Sequence, residues 1–309
     1  MLSNKVKRKL ETFTDLPAIP AVISDVINEL ENPNYDARKV ATLIEQDQGI
    51  TARLLRMANS PFYGLAKKIS TIDLAIVILG SNVLKEILIS LLLHRVFRNV
   101  KNTIFDVKQF WNYSIFCGAA ARFLSRKLGY KLVSEAFVAG LMHDIGILIL
   151  MDKFRNNFAK SCRLQSEENF SIIEAEMEVF ECTHCDVGAW FAEKWNLPEQ
   201  IVSAFYNHHT PFFISDNEVY SNDFIITPTF NKIKYPLTAI VSMSEWLAFE
   251  CGYKKWSKSD VEPAYYISNE IISAVINNES LSPEAFLAVL KQSVLDEFEK
   301  ATAMLSFNI

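Results

Sequence analysis

Glycine and proline are scarce, with 9 and 10 residues in a chain of 309, against ordinary usage of roughly 7% and 5%. So few turn formers predict long helices. Cysteine is also sparse, and the five present (Cys117, Cys162, Cys182, Cys185, Cys251) are odd in number and widely scattered. A short disulfide-stapled fold is excluded, and reduced thiols packed within apolar helices are expected. No charge of one sign dominates, because 31 basic residues stand against 36 acidic ones for a net charge of -5. The chain therefore has no overall field to attract nucleic acid.

Unbroken apolar runs are missing as well. The most apolar windows, 75–94 and 137–151, are interrupted by Lys85 and Glu86 and by His143 and Asp144. Neither is expected to span a membrane. The basic start from Met1 to Lys9 is followed by Glu11 and Asp15 where a secretion signal needs an apolar segment, so a cytoplasmic location is expected. Phosphate-cradling motifs of the G-x-x-x-x-G-K-[ST] and G-x-G-x-x-G types are absent, as is the G-x-S-x-G nucleophile elbow. The common nucleotide-binding and serine-hydrolase classes lose their support.

What the chain does have is apolar mass. Half its residues are hydrophobic, with 22 Phe and 5 Trp, enough to offset the entropy of ordering. Helical spacing of Val22, Ile23, Val26, Ile27 and Leu30 predicts a first amphipathic helix over 20–31. Asp36 is suited to cap a second over 37–46, and Ile50, Leu54, Leu55 and Ala58 mark a third. An apolar segment over 72–78 precedes a longer helix from Val83 toward Phe97, and 98–107 reads as a linker. Beyond it, helices are predicted around 111–123 and from Ala136 into His143-Asp144. Ser171 with Glu174 forms a capping-box signature, and Pro198 opens the next helix. Residues 210–235 lack periodicity and suggest an excursion or small hairpin, before helices at 236–249, 261–276 and 282–304. The predicted fold class is all-α with two helical subdomains, 1–100 and 101–309.

Of the five histidines, four lie in the second half: His143, His184, His208 and His209. Paired with Asp144, His143 offers an imidazole and a carboxylate that could chelate a divalent metal with groups from other helices. Such a pair inside a helix is more often a hydrogen-bonded core pair. His94, beside Arg95 at a helix end, most simply meets the negative end of that helix. Cys182, His184 and Cys185 look like half a zinc site, with two thiolates at C-x-x-C spacing, but no second pair stands at a spacing that completes it, and ordinary helix packing is favoured for the cysteines. They are read as packing thiols.

These residues also fall into a familiar order. Leu16-Pro17-Ala18-Ile19-Pro20, Ile44-Glu45-Gln46-Asp47, Leu54-Leu55-Arg56-Met57-Ala58-Asn59-Ser60 and Ala75-Ile76-Val77-Ile78-Leu79-Gly80 resemble landmarks of the HDOD family. That family is a bacterial output domain related to HD-type metal phosphohydrolases. The resemblance continues through Trp111-Asn112-Tyr113-Ser114, the run Ala136 to Gly146, His184 to Gly188, Trp195-Asn196-Leu197-Pro198 and His208-His209. Gln48 departs from the family's usual Asp-Pro. The second subdomain is thereby expected to be an HD-like, phosphodiesterase-like helical bundle.

What the resemblance implies can be carried over residue by residue. His143 and Asp144 match the His-Asp pair, and His184, His208 and His209 match the extra histidines of two-metal relatives. Glu245 stands where a late Asp is expected, and Tyr113 replaces the first His. These residues would hold a divalent ion (Fe, Mn, Mg, Ni or Zn), although a phenol is a poorer ligand than imidazole. With the landmarks kept and the ligand set altered, the leading expectation is a non-catalytic signal-transduction scaffold acting on protein partners, without nucleic acid or membrane. Two alternatives stay open: a metal-dependent phosphohydrolase acting on a nucleotide or cyclic dinucleotide, and a nucleotide or metal sensor without turnover.

Overall fold

A computed structural model describes residues 21–32, 34–60, 63–64, 66, 68–97, 105–209, 236–253 and 283–305. Among them every regular element is a helix, so the fold is all-α as the scarcity of turn formers predicts. The described residues within Asp15–Asn99, together with those in Asp296–Ile309, gather in one compact unit. Those within Val100–Leu295 gather in another.

In the Asp15–Asn99 unit, α1 (Ala21–Glu31), α2 (Ala37–Glu45) and α3 (Gln48–Ala58) are short and amphipathic. Ile23, Val26, Val40, Ile44, Leu54 and Met57 form their buried stripes. Asp36 caps α2 by accepting from the Arg38 N–H, and Asp47 caps α3 by accepting from Gly49 and Ile50. After α3 the side chain of Asn59 ties down the approach to the next helix. Its Nδ2 donates to the carbonyls of Leu55 and Ile69, and its Oδ1 accepts from the Ile69 N–H, each at 2.7 Å. That helix, α4 (Ile72–Phe97), is broken at Gly80, whose φ of 76° and ψ of 168° belong to a region essentially open only to glycine. The apolar segment and the longer helix expected from the sequence are the two arms of this break. His94 lies on the second arm, and its side chain is outside the described part.

The Val100–Leu295 unit is built around α5 (Val107–Lys127), capped by Asp106 and buried along most of its length. It packs on α6 (Val133–Met142) and α12 (Pro236–Glu250). Small residues allow the close α5–α6 approach, since a Cβ on Gly140 would meet the Cys117 carbonyl oxygen at 2.5 Å. The remaining helices are α7 (Ile145–Lys153), α8 (Arg155–Glu167), α9 (Ile172–Phe180), α10 (His184–Lys194) and α11 (Glu199–Asn207). The Ser171–Glu174 capping box forms as expected at the start of α9. α13 (Pro283–Leu305) is divided between the two units after Leu295, with Leu290 and Val294 buried in its first part and Ala301 and Met304 in its second. Residues 98–104 of the expected linker, the excursion at 210–235 and the helix expected over 261–276 lie outside the described residues.

Two stretches, Ile72–Leu92 and Val133–Lys153, are long and apolar enough to cross a membrane, which their interrupting charges did not suggest. The first is broken at Gly80 and the second at His143-Asp144. In the second, 83% of the apolar window is buried inside the protein, so its composition serves the core.

Candidate metal centre

His143 and Asp144 do not lie inside a helix. α6 ends at Met142, His143 is its C-cap, and Asp144 is the N-cap of α7, so the pair occupies the break between two helices. One local and one tertiary contact accompany the break. The His143 ring turns back to donate its Nδ1–H to the Gly140 carbonyl at 2.8 Å. One turn on, the main chain at Gly146 presses on His184, where any Cβ would stand 2.0 Å from the His184 carbonyl oxygen. That approach locks the start of α7 against the start of α10.

α10 begins with a second capping box. Thr183 N–H donates to Asp186 Oδ2 at 2.8 Å, and the Asp186 N–H returns to Thr183 Oγ1 at 3.2 Å. The box fixes the first turn, which carries His184 and Cys185. Across from it α11 ends at Asn207, and His208 and His209 form the turn that follows. The His208 Nδ1–H donates to the Phe205 carbonyl at 2.8 Å, and the Ser242 hydroxyl on α12 donates to the His208 carbonyl. One turn beyond Ser242, Glu245 enters the same space. His143, Asp144, His184, His208 and Glu245 are all essentially buried, while His209 is partly exposed.

Every one of these sequence-derived candidates is brought together. His143 Nε2 stands 3.1 Å from Asp144 Oδ2 and 3.5 Å from Glu245 Oε1. Asp144 Oδ1 faces the other way, 3.2 Å from His184 Nε2 and 3.5 Å from His208 Nε2. His184 Nε2 lies 3.3 Å from His208 Nε2 and 3.1 Å from His209 Nε2. Tyr113, on α5, donates its phenol hydroxyl to Glu245 Oε1 at 2.7 Å. It therefore touches the carboxylate oxygen that faces His143.

Two further residues belong to this cluster: Glu176, to which the sequence assigns no role, and Cys185, for which it favours packing over zinc binding. Glu176, on the buried face of α9, accepts at one oxygen, Oε2, both the His184 ring Nδ1–H and the His184 backbone N–H, each at 2.7 Å. A carboxylate on the apolar stripe of a helix was the available signal. Cys185 places its Sγ 3.6 Å from His184 Nε2 and 3.9 Å from His208 Nε2. The packing role expected for this thiol understates its position. Its C-x-x-C partner Cys182 is not part of the cluster, so the spacing itself was no guide.

The hydrogen bonds determine the electronic state of the pocket. The Nδ1–H groups of His143, His184 and His208 go to Gly140, Glu176 and Phe205, so all three imidazoles turn Nε2 inward, the arrangement that second-sphere acceptors impose on metal-binding histidine. These nitrogens meet the carboxylates of Asp144 and Glu245 and the Cys185 sulfur, and such a set demands positive charge. Burial disfavours the charged form of His143, but Asp144 and Glu245 outweigh it and hold its pKa above the usual value. Against the same burial, Cys185 and Asp144 push His208 up to about 10. Burial likewise opposes ionisation of Cys185, yet His184 and His208 bring that thiol down to about 6. Two overlapping groups of donor atoms lie within 4.8 Å of one another: His143, Asp144, His208 and Glu245, and His184, Cys185, His208 and His209. The donors present fit a divalent cation.

The comparisons with known proteins agree with this architecture. The HDOD domain profile matches residues 16–211. A Geobacter sulfurreducens HDOD domain protein of unknown function superposes with a TM-score of 0.72 at 23% identity, covering 99% of this chain and 98% of that one. Two Shewanella amazonensis structures are similar at 20% identity. One, named as a candidate phosphohydrolase, has a TM-score of 0.67 over 98% of both chains. The other, named as a candidate metal-dependent phosphohydrolase, has a TM-score of 0.62 over 97% of this chain and 96% of that one. An uncharacterized Treponema pallidum protein is 26% identical over 200 residues, which make up 64% of this chain and 38% of that protein's length.

Proposed function

Because the chain belongs to the HDOD domain family, whose relation to HD phosphohydrolases is shared by its structural neighbours, we propose that it acts as a non-catalytic output module that signals through partner proteins. The observation that carries this reading is the 2.7 Å bond from the Tyr113 hydroxyl to Glu245 Oε1. A phenol stands where the resemblance places the first histidine ligand, and it is bonded to the carboxylate oxygen nearest His143. In the group His143, Asp144, His208 and Glu245, a lone pair of Glu245 Oε1 is thus already engaged by a hydroxyl proton. A divalent ion in this group would supply an activated water for phosphoester hydrolysis in the rival reading. The inward-facing imidazoles and the resemblance to candidate phosphohydrolases support that rival. In the scaffold reading these residues hold the helix junctions in place for a partner surface.

The test is turnover. Full-length protein is incubated with bis(p-nitrophenyl) phosphate and with cyclic dinucleotides in the presence of Mg2+, Mn2+, Fe2+, Ni2+ or Zn2+, beside His143→Ala. Rates equal to those of His143→Ala are expected. Turnover well above that variant with any ion would overturn the scaffold reading and favour the hydrolase.

A further inference from the structure

The donor group on the α10 side differs in chemistry from the carboxylate-rich group around His143. We infer that His184, Cys185, His208 and His209 form a closed N3S site for zinc or a similar borderline ion, with the Cys185 thiolate as fourth ligand. Cys185 is the new element, because the resemblance implies only histidines and acids.

Geometry is the main argument. Zinc–nitrogen bonds of about 2.0–2.1 Å and zinc–sulfur bonds of about 2.3 Å give a tetrahedron with edges of roughly 3.3 Å between nitrogens and roughly 3.6 Å from nitrogen to sulfur. The observed edges are 3.3 Å for His184 to His208 and 3.1 Å for His184 to His209. From sulfur they are 3.6 Å to His184 and 3.9 Å to His208. Four donors on two elements therefore already stand near the corners of one coordination polyhedron. The aim of the donors is the second argument. Glu176 and the Phe205 carbonyl take the Nδ1 protons of His184 and His208, which directs both Nε2 lone pairs at the common centre.

The donor set also determines which ion and which role. Thiolate and imidazole favour zinc over Mg2+ or Mn2+, whose preference is for oxygen. Four protein ligands fill a tetrahedral site, and Asp144 Oδ1, 3.2 Å from His184 Nε2, is at hand as a fifth. A site so filled leaves no position for a hydrolytic water, as in structural zinc sites. The inference deepens the scaffold reading, on which its structural role rests, but its test reads the metal and the sulfur rather than turnover.

Full-length protein is stripped of metal and titrated with Co2+. The expected result is a near-ultraviolet sulfur-to-cobalt charge-transfer band with the intense visible bands of a tetrahedral ion, both displaced by one equivalent of Zn2+ and by no excess of Mg2+. Cys185→Ser is expected to lose the charge-transfer band, and Cys182→Ser to keep it. Wild-type protein that binds Co2+ without that band, or binds none, overturns the inference with no variant needing to fold. A band that survives in Cys185→Ser overturns it as well. Turnover in the preceding assay beside an intact band would sink the scaffold reading and leave the thiolate site standing.

Discussion

A methyl group on Gly146 would stand 2.0 Å from the His184 carbonyl oxygen and 2.9 Å from the Gly188 nitrogen, distances at which backbone must move. On Gly188, across the same contact, it would meet its nearest neighbour at 3.5 Å, an ordinary van der Waals distance. The two glycines face each other across one contact yet make opposite predictions. Gly146→Ala should separate α7 from α10, displace His184, and destabilise by about 3 kcal/mol, the upper end for overpacking. Gly188→Ala, within α10, should be neutral or stabilising by up to about 1 kcal/mol through helix propensity. Urea denaturation midpoints of both variants check this. Equal midpoints would mean that the α7–α10 contact is not as close as described. The sequence placed Gly146 and Gly188 inside family-like runs, but the contact between them is tertiary and has no local signature. For the same reason the sequence assigns Glu176 no role and leaves Cys185 with the declined half of a zinc site. Their neighbours in space come from α9, α10 and the turn after α11, and no spacing along the chain encodes that meeting.

At the scale of elements, chain punctuation was legible wherever it rests on neighbouring residues. Asp36 and the Ser171–Glu174 pair announce their helices because an N-cap bond reaches only two or three residues ahead. The break at His143-Asp144 was not legible, since its flanks are apolar and helix-compatible and the break accompanies the tertiary contact with α10. Gly80 is an intermediate case. Its neighbours suggested two segments, and the backbone gives the reason, a φ of 76° with ψ of 168° between the arms of α4. A Cβ there would meet nothing within 4 Å, so substitution tests the backbone alone. Gly80→Ala should lower stability by about 1–3 kcal/mol, the cost of holding a side-chain-bearing residue in that region. The measurement is again a denaturation midpoint, with circular dichroism to confirm that helix content is kept. An unchanged midpoint would mean that α4 can straighten through Gly80 without loss.

For the whole molecule, the consequence lies in how many elements converge on one pocket. The α6–α7 junction supplies His143 and Asp144, α10 supplies His184 and Cys185, the turn after α11 supplies His208 and His209, and α12 supplies Glu245. Zinc held by His184, Cys185, His208 and His209 joins the start of α10 to the turn after α11, and the unfolded chain does not hold these donors together. Ligand binding confined to the native state stabilises by about 2.7 kcal/mol at a free concentration a hundredfold above Kd. For a unit of this size each kcal/mol moves Tm by about 2–4 °C. Stripping zinc-loaded protein with a chelator should therefore lower Tm by roughly 5–11 °C, and adding Zn2+ back should restore it while Mg2+ should not. Differential scanning fluorimetry at a fixed free zinc concentration measures the shift. A Tm indifferent to zinc would mean that protons on the imidazoles satisfy the pocket as well as a metal does, and that the helices meeting there need no ion to stay together.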